Sequence, residues 1–236
     1  MQKKMPNESS DPNVVIVPIT SDKGLCGAVN STVVREVKKI FLKPNINRSK
    51  YQIFSIGDKG TAGLTRPFPD CLKTSITKVK MPYNYPTIMA MAVHVSAFSN
   101  DADKIVVLYN EFKNAATYYP KQMELLPRKR FLESMAFAKL YNQTLPDKNT
   151  SNTALYELYL TSNIWVAFLN SAAAEQSSRM NAMENASKNA KEIFEGLQLE
   201  YNKARQQRIT MELVEIISGA SALDWSIFSL PNYLNT

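Results

Sequence analysis

The chain has 236 residues, of which 44% are apolar, and carries 28 Lys+Arg against 21 Asp+Glu for a formal net charge of +7. That composition supports a packed core and argues against wholesale disorder. Two cysteines, Cys26 and Cys71, exclude a disulfide framework and a four-cysteine zinc site, and any His-based triad or metal site would have to use the single histidine, His94.

Residues 1–13 read as a polar lead-in without a signal-peptide or transit pattern. Val14 to Val17 is a short β-branched run of the kind that forms a buried parallel strand. A polar loop, Thr20 to Gly24, leads into a helix from Gly27 to Leu42, where Val29, Val33, Val37, Ile40 and Phe41 share one face. Tyr51 to Ile56 predicts a second strand. A short helix follows from Asp58 to about Leu64, and Leu72 to Val79, rich in Thr and Lys, reads as an edge strand. Pro82 and Pro86 bracket a turn before an apolar helix from Thr87 to Phe98. Lys104 to Tyr109 is the clearest strand, and Thr117 to Leu126 returns antiparallel, with Pro120 favouring a sheet edge. Alternating units of this kind predict a Rossmann-like, mostly parallel α/β domain over residues 14–146, closed by a hairpin.

The remainder is different in kind. No proline occurs between Asp147 and Leu230, and Asn149 to Thr153 offers several N-cap candidates. A helix from Asn152 to Leu223, within a coiled-coil segment 147–223, would be about 108 Å long and would have to project from a domain of this size. Met183, Ala186, Ala190, Ile193, Leu197, Tyr201, Ala204, Arg208 and Met211 fall at steps of three and four, a coiled-coil seam with one irregular step. A lone helix with so narrow an apolar stripe needs a second helix. The sequence therefore predicts half of a coiled coil, followed by a C-terminal extension, 224–236.

Charge follows the same division: residues 1–150 carry a net +10 and residues 151–236 a net −3. A solvated basic surface, an acidic protein or lipid-headgroup partner, and nucleic acid are the readings of that asymmetry. No helix-turn-helix, zinc-finger or RNP pattern supports nucleic acid. The longest wholly apolar run, Ile164 to Leu169, is far too short to span a membrane.

Catalytic motifs are weak throughout. Ser21-Asp22-Lys23-Gly24-Leu25-Cys26-Gly27 joins a strand to a helix, where phosphate loops sit, but its Gly-x-x-Gly spacing is neither a dinucleotide fingerprint nor a P-loop. Gly24, Cys26 and Gly27 read as a structural turn. Gly57-x-x-Gly60-x-x-Gly63 fails the same patterns. Cys26 lies at a helix N-terminus, which favours the thiolate, although packing is the simpler role. His94 sits in an apolar helix and reads as structural. Met180, Met183 and Met211 read as seam fillers. No cofactor or metal site is expected.

Two stretches resemble one family. Ser21 to Ala28 is similar to the Ser-Asp-Arg/Lys-Gly-Leu-Cys-Gly turn of the gamma subunits of F-type ATP synthases, and Ile209 to Ala222 resembles their C-terminal signature, Ile-Thr-x-Glu, an acid, then Gly-Ala. Ile209, Glu215, Gly219 and Ala220 carry that signature. Glu175 to Met180 and Asn185 to Ala190 are similar to the mitochondrial form. The resemblance implies a non-catalytic central-stalk rotor of a proton-translocating ATP synthase, peripheral to the mitochondrial inner membrane on the matrix side. It implies alpha and beta head subunits, delta and epsilon stalk subunits and the membrane c-ring as partners. It also implies contact with a beta subunit through Arg205 and Gln206, with Thr210 and Glu212 on the same stretch. The family begins with a long helix that forms the other half of the coiled coil, whereas here about a dozen residues precede the first strand. The competing expectations are a truncated or paralogous gamma-like protein without rotary function, and a small Rossmann-type nucleotide-binding enzyme.

Overall fold

A computed structural model describes residues 12–44, 46–79, 83–134 and 148–228. Its sheet is built outward from β1 (Val14–Pro18), every residue of which is buried. β1 pairs in parallel with β2 (Tyr51–Ile56) on one side and with β4 (Lys104–Asn114) on the other, Val14 lying opposite both Tyr51 and Lys104. β3 (Leu72–Ile76) adds in parallel to β2, and β5 (Thr117–Leu125) adds antiparallel to β4, so the order is β3-β2-β1-β4-β5. The expected mostly parallel α/β sheet with a terminal hairpin is present. Leu72 does open an edge strand, though one ending at Ile76, and Pro120 lies on the other edge, where its missing N–H costs no ladder bond to a further strand.

Alternation along β1 divides the core in two. Val14 and Ile16 join Ile53, Val106 and Leu108 beneath α1 (Val29–Phe41) and α2 (Asp58–Thr65), whose Val33, Val37, Phe41 and Leu64 cover them. Val15 and Val17 face the opposite layer with Phe54, Ile56, Ile105 and Val107. That layer is α3 (Tyr85–Phe98), contributing Ile88, Met91 and Val95, together with Tyr156, Leu160, Ile164, Ala167 and Phe168 of the last helix. A strand covered on both faces must be apolar on both, which is why β1 lacks a polar alternation. Each such side chain stabilises the fold by roughly 1.5–3 kcal/mol relative to exposure.

Helix ends follow local chemistry. α1 ends with Lys38 and Lys39 in its last turn, where they complement the helix dipole. α3 begins at Tyr85 rather than Thr87: Pro86 sits inside its first turn, where a missing N–H has no helical partner to lose, so this proline starts the helix instead of closing a turn. Strand β4 also runs beyond Tyr109 to Asn114, whose Oδ1 accepts from the Ala116 and Thr117 amides and the Thr117 hydroxyl and closes the hairpin. A short helix, α4 (Arg128–Leu132), was not apparent in the sequence.

The final helix, α5, runs from Lys148 to Phe228, 81 residues, starting before Asn152 and continuing past Leu223. The chain divides into two compact units at Met183 and Glu184. In the first, α5 buries Tyr156, Leu160, Ile164, Ala167, Phe168 and Ala174. In the second, every described side chain from Glu184 to Ala222 is exposed.

Candidate functional site

The Ser21–Gly27 turn is a junction held by bonds among Ser21, Lys23, Cys26 and Asn30. Asn30, on the first turn of α1, accepts from the Ser21 amide at 2.9 Å through Oδ1, and its Nδ2 donates to Ser21 Oγ at 2.8 Å and to Cys26 Sγ at 3.3 Å. Ser21 Oγ in turn donates to the Lys23 carbonyl at 2.6 Å. The Asp22 carboxylate reaches outward: one oxygen accepts from the Asp58 amide at the start of α2 (2.9 Å), and the other from the Val79 amide beyond β3 (2.7 Å). Ser21 and Asp22 thus make a three-way clamp of α1, α2 and the β3 exit, and Gly24, Cys26 and Gly27 follow them in the same turn. Cys26 is buried.

Two glycines make this junction possible. Gly27 has φ +58°, and a Cβ there would stand 2.9 Å from Ser178 Oγ of α5. That hydroxyl donates to the Cys26 carbonyl at 2.7 Å. Gly57 has φ +99°, and a Cβ would meet the Thr20 carbonyl oxygen at 2.2 Å.

Beside the junction, buried Glu175 pairs with Arg179 at 2.5 Å, and Arg179 also donates to Gln176 Oε1. Tyr83 packs edge-on against Phe168. Its phenol is pushed up to about 12, first by burial and then by the negative charges of Glu175 and Asp22. A phenol held neutral at that level contributes packing and a hydrogen-bonding group, not a proton for acid–base chemistry at neutral pH. Cys71 is likewise pushed up by burial. His94 is exposed on α3. Among the described residues, no three His, Cys, Asp or Glu side chains cluster in a way that could hold a metal, and no helix is long and apolar enough to cross a membrane.

On the second unit, the seam residues Ile193, Leu197, Tyr201 and Met211 are all exposed, as is Met183 at its edge, and so are Ile209, Leu213, Val214, Ile216 and Ile217. Arg205 and Gln206 lie on the exposed surface of α5. Thr210 is turned back onto its own helix, donating to the Gln206 carbonyl at 2.9 Å, and Glu212 accepts from Arg208 Nε at 3.0 Å. Glu215 and Ala220 are exposed, and nothing described lies within 4 Å of where a Gly219 Cβ would stand. The four positions singled out for partner contact therefore share one short stretch, with two engaged within the helix. Sequence reasoning did not find Asp22's bridging role, because Asp58 and Val79 are far away along the chain, nor the hydroxyls and amide of Ser177, Ser178 and Asn181, which read as ordinary polar helix residues.

An α/β domain whose strand-to-helix turn ties α1, α2 and the β3 exit together, joined to one very long helix with an exposed apolar seam, is the architecture of a structural stalk protein. A family model described as ATP synthase matches residues 1–223. The mitochondrial ATP synthase F(1) complex subunit gamma of Dictyostelium discoideum is 34% identical over 223 residues, covering 94% of this chain and 72% of that protein. The mitochondrial gamma subunit of Drosophila melanogaster is 34% identical over 92% of this chain and 71% of its own length. Among solved structures, a chain from the central stalk and c-ring of Tetrahymena thermophila mitochondrial ATP synthase is 44% identical, with TM-score 0.67 over 77% of this chain and 80% of that one. A chain of the Euglena gracilis mitochondrial enzyme shares the fold, with TM-score 0.77 at 21% identity over 94% of this chain and 77% of its own. The chain belongs to the gamma-subunit family of F-type ATP synthases. Members of that family are non-catalytic subunits of the enzyme.

Proposed function

We propose that this chain works as the rotating central-stalk subunit of a proton-translocating ATP synthase, passing the angle of the membrane c-ring to the catalytic beta subunits. The family match along residues 1–223 carries the reading. The exposed seam of α5 supports it, since a second helix along Met183 to Met211 is what those apolar side chains require. An asymmetric axle acts by offering each of three equivalent beta subunits a different surface, and only such differential contact shifts a conformational equilibrium. The α/β domain of residues 14–146 serves as the foot toward the c-ring and the delta and epsilon stalk subunits, and residues 147–223 serve as the axle within the alpha and beta head. The working location is the matrix side of the mitochondrial inner membrane.

Arg205 and Gln206 are the side chains we assign to a beta-subunit loop. The guanidinium presents a fork suited to a carboxylate, and the amide both donates and accepts. Thr210 and Glu212, already engaged within the helix, set the surface around them. The open space at Gly219 leaves room for a partner's backbone to approach closely. Affinity purification of the tagged full chain followed by mass spectrometry tests the reading. Recovery of alpha, beta and c-ring subunits in fixed proportion is expected, and recovery of the chain without them overturns it.

A further inference from the structure

Three side chains on one short stretch of α5 donate to backbone carbonyls in two separate turns. Ser178 Oγ bonds the Cys26 carbonyl at 2.7 Å, within the Ser21–Gly27 junction. Ser177 Oγ and Asn181 Nδ2 both bond the Ala115 carbonyl, at 2.5 and 2.7 Å, at the tip of the β4–β5 hairpin. A carbonyl oxygen has two lone pairs, so Ala115 is used to capacity. Both turns are themselves held firmly, one by Asp22 and Asn30, the other by Asn114. Earlier in α5, the side chains buried against the sheet are mostly apolar, from Tyr156 to Phe168. Later, from Glu184 to Ala222, all described side chains are exposed. Among the described residues these three are therefore the last, in chain order, to hydrogen-bond α5 to the α/β fold.

The close-packed apolar face itself resists roll, and the Leu126 amide and the Arg128 guanidinium bond Tyr159 and Thr153 in earlier turns of α5. The Ser177, Ser178 and Asn181 bonds add a directional constraint farther along the helix. A side-chain atom about 5 Å from the axis moves roughly 1 Å for a 10° roll, which takes a bonded donor out of range. Ser177 and Asn181 lie one turn apart on one side of the helix, and Ser178 sits some 60–100° around from them. A roll carries all three off their carbonyls together.

We propose that Ser177, Ser178 and Asn181 are positioning residues that fix the roll of α5 on the α/β fold and thereby set the torsional stiffness of the stalk at this joint. The inference rests on the central-stalk reading above. The test uses the assembled complex, held by its head subunits on a surface without nucleotide, with a gold rod attached to an exposed cysteine introduced in the α/β domain. Both native thiols of this chain are buried, so within it the label goes to the introduced cysteine. The variance of the rod's angle reports stiffness. The Ser177→Ala, Ser178→Ala, Asn181→Ala triple variant is expected to widen the variance at unchanged subunit stoichiometry, and Ser177→Thr, which keeps the hydroxyl, is expected to leave it at the wild-type value. Wild-type variance in the fully assembled triple variant overturns the inference while leaving the stalk reading intact. Should the triple variant fail to assemble, Ser178→Ala alone is measured, and wild-type variance there overturns the inference equally. A wild-type chain that does not co-purify with alpha and beta subunits overturns both.

Discussion

Replacing Asp22 separates the structural role of the signature turn from any ligand-binding role. Its carboxylate accepts from the Asp58 amide at 2.9 Å and the Val79 amide at 2.7 Å, so Asp22→Ala strands two backbone donors in one step. Hydrogen bonds to a charged group contribute about 1.5–3 kcal/mol each. The Asp58 bond is exposed and water replaces it in part, whereas the Val79 bond is part-buried and holds more of its value. The expected loss is about 2–4 kcal/mol. Asp22→Asn keeps one acceptor oxygen without the charge and should cost about half as much. Urea unfolding of the full chain measures both, followed by near-ultraviolet circular dichroism, to which Trp165 contributes from its edge-on contact with Tyr85. With a slope of about 2 kcal/mol/M, Asp22→Ala should lower the midpoint by roughly 1–2 M. An Asp22→Ala midpoint equal to wild type would refute the clamp, and so would an Asn variant as damaged as the Ala variant.

Gly57→Ala places a methyl 2.2 Å from the Thr20 carbonyl in a backbone conformation with φ +99°, and should cost about 3 kcal/mol or more in the same unfolding experiment. Asp103 is held below its ordinary value by the Arg130 guanidinium and the Asn13 amide, at 2.9 and 3.0 Å. Because its folded value is lowered, its contribution is complete above the ordinary aspartate value and is lost as pH falls through the folded one; Asp103→Asn should therefore flatten the acid limb of a stability–pH curve. In the assembled complex, Arg205→Ala with Gln206→Ala should lower ATP hydrolysis while leaving subunit stoichiometry intact. On the proposed beta-subunit contact, a charge-assisted hydrogen bond of Arg205 would be worth about 1.5–3 kcal/mol, small beside a whole stalk interface but enough for a tenfold or greater shift between beta conformations. Wild-type turnover would remove the pair from the coupling surface.

The parallel sheet was legible because β1 and the first part of β4 are β-branched runs that burial on both faces demands, and the long helix because nothing between Asp147 and Leu230 interrupts it. Element ends were less legible. Pro86 reads as a breaker in sequence but starts α3, since its effect depends on where in a helix it falls. The early part of α5 illustrates a further limit. Tyr156, Leu160, Ile164 and Phe168 repeat with helical period and so announce a buried face, yet period alone does not say that this face covers the sheet beside α3. Of the site, the signature turn and the seam were visible as patterns. The bonds that join the turn to the rest of the fold, Asp22 to Val79 and Ser178 to Cys26, connect positions 57 and 152 residues apart and leave no local trace.

The use of α5 as a lid over half the sheet imposes an order on biosynthesis. Val15, Val17, Ile105 and Val107 can assemble once β5 has left the ribosome, but Leu160, Ile164 and Phe168, which complete their cover, emerge later. At about 5–20 residues per second, the interval between Leu125 and Phe168 lasts roughly 2–9 seconds. Throughout it the nascent chain carries an apolar sheet face that α3 covers only in part, while α1 and α2 already seal the opposite face. The emerging protein is thus sticky on one side alone, and a holdase that binds apolar surface has a defined target there until the helix arrives to displace it.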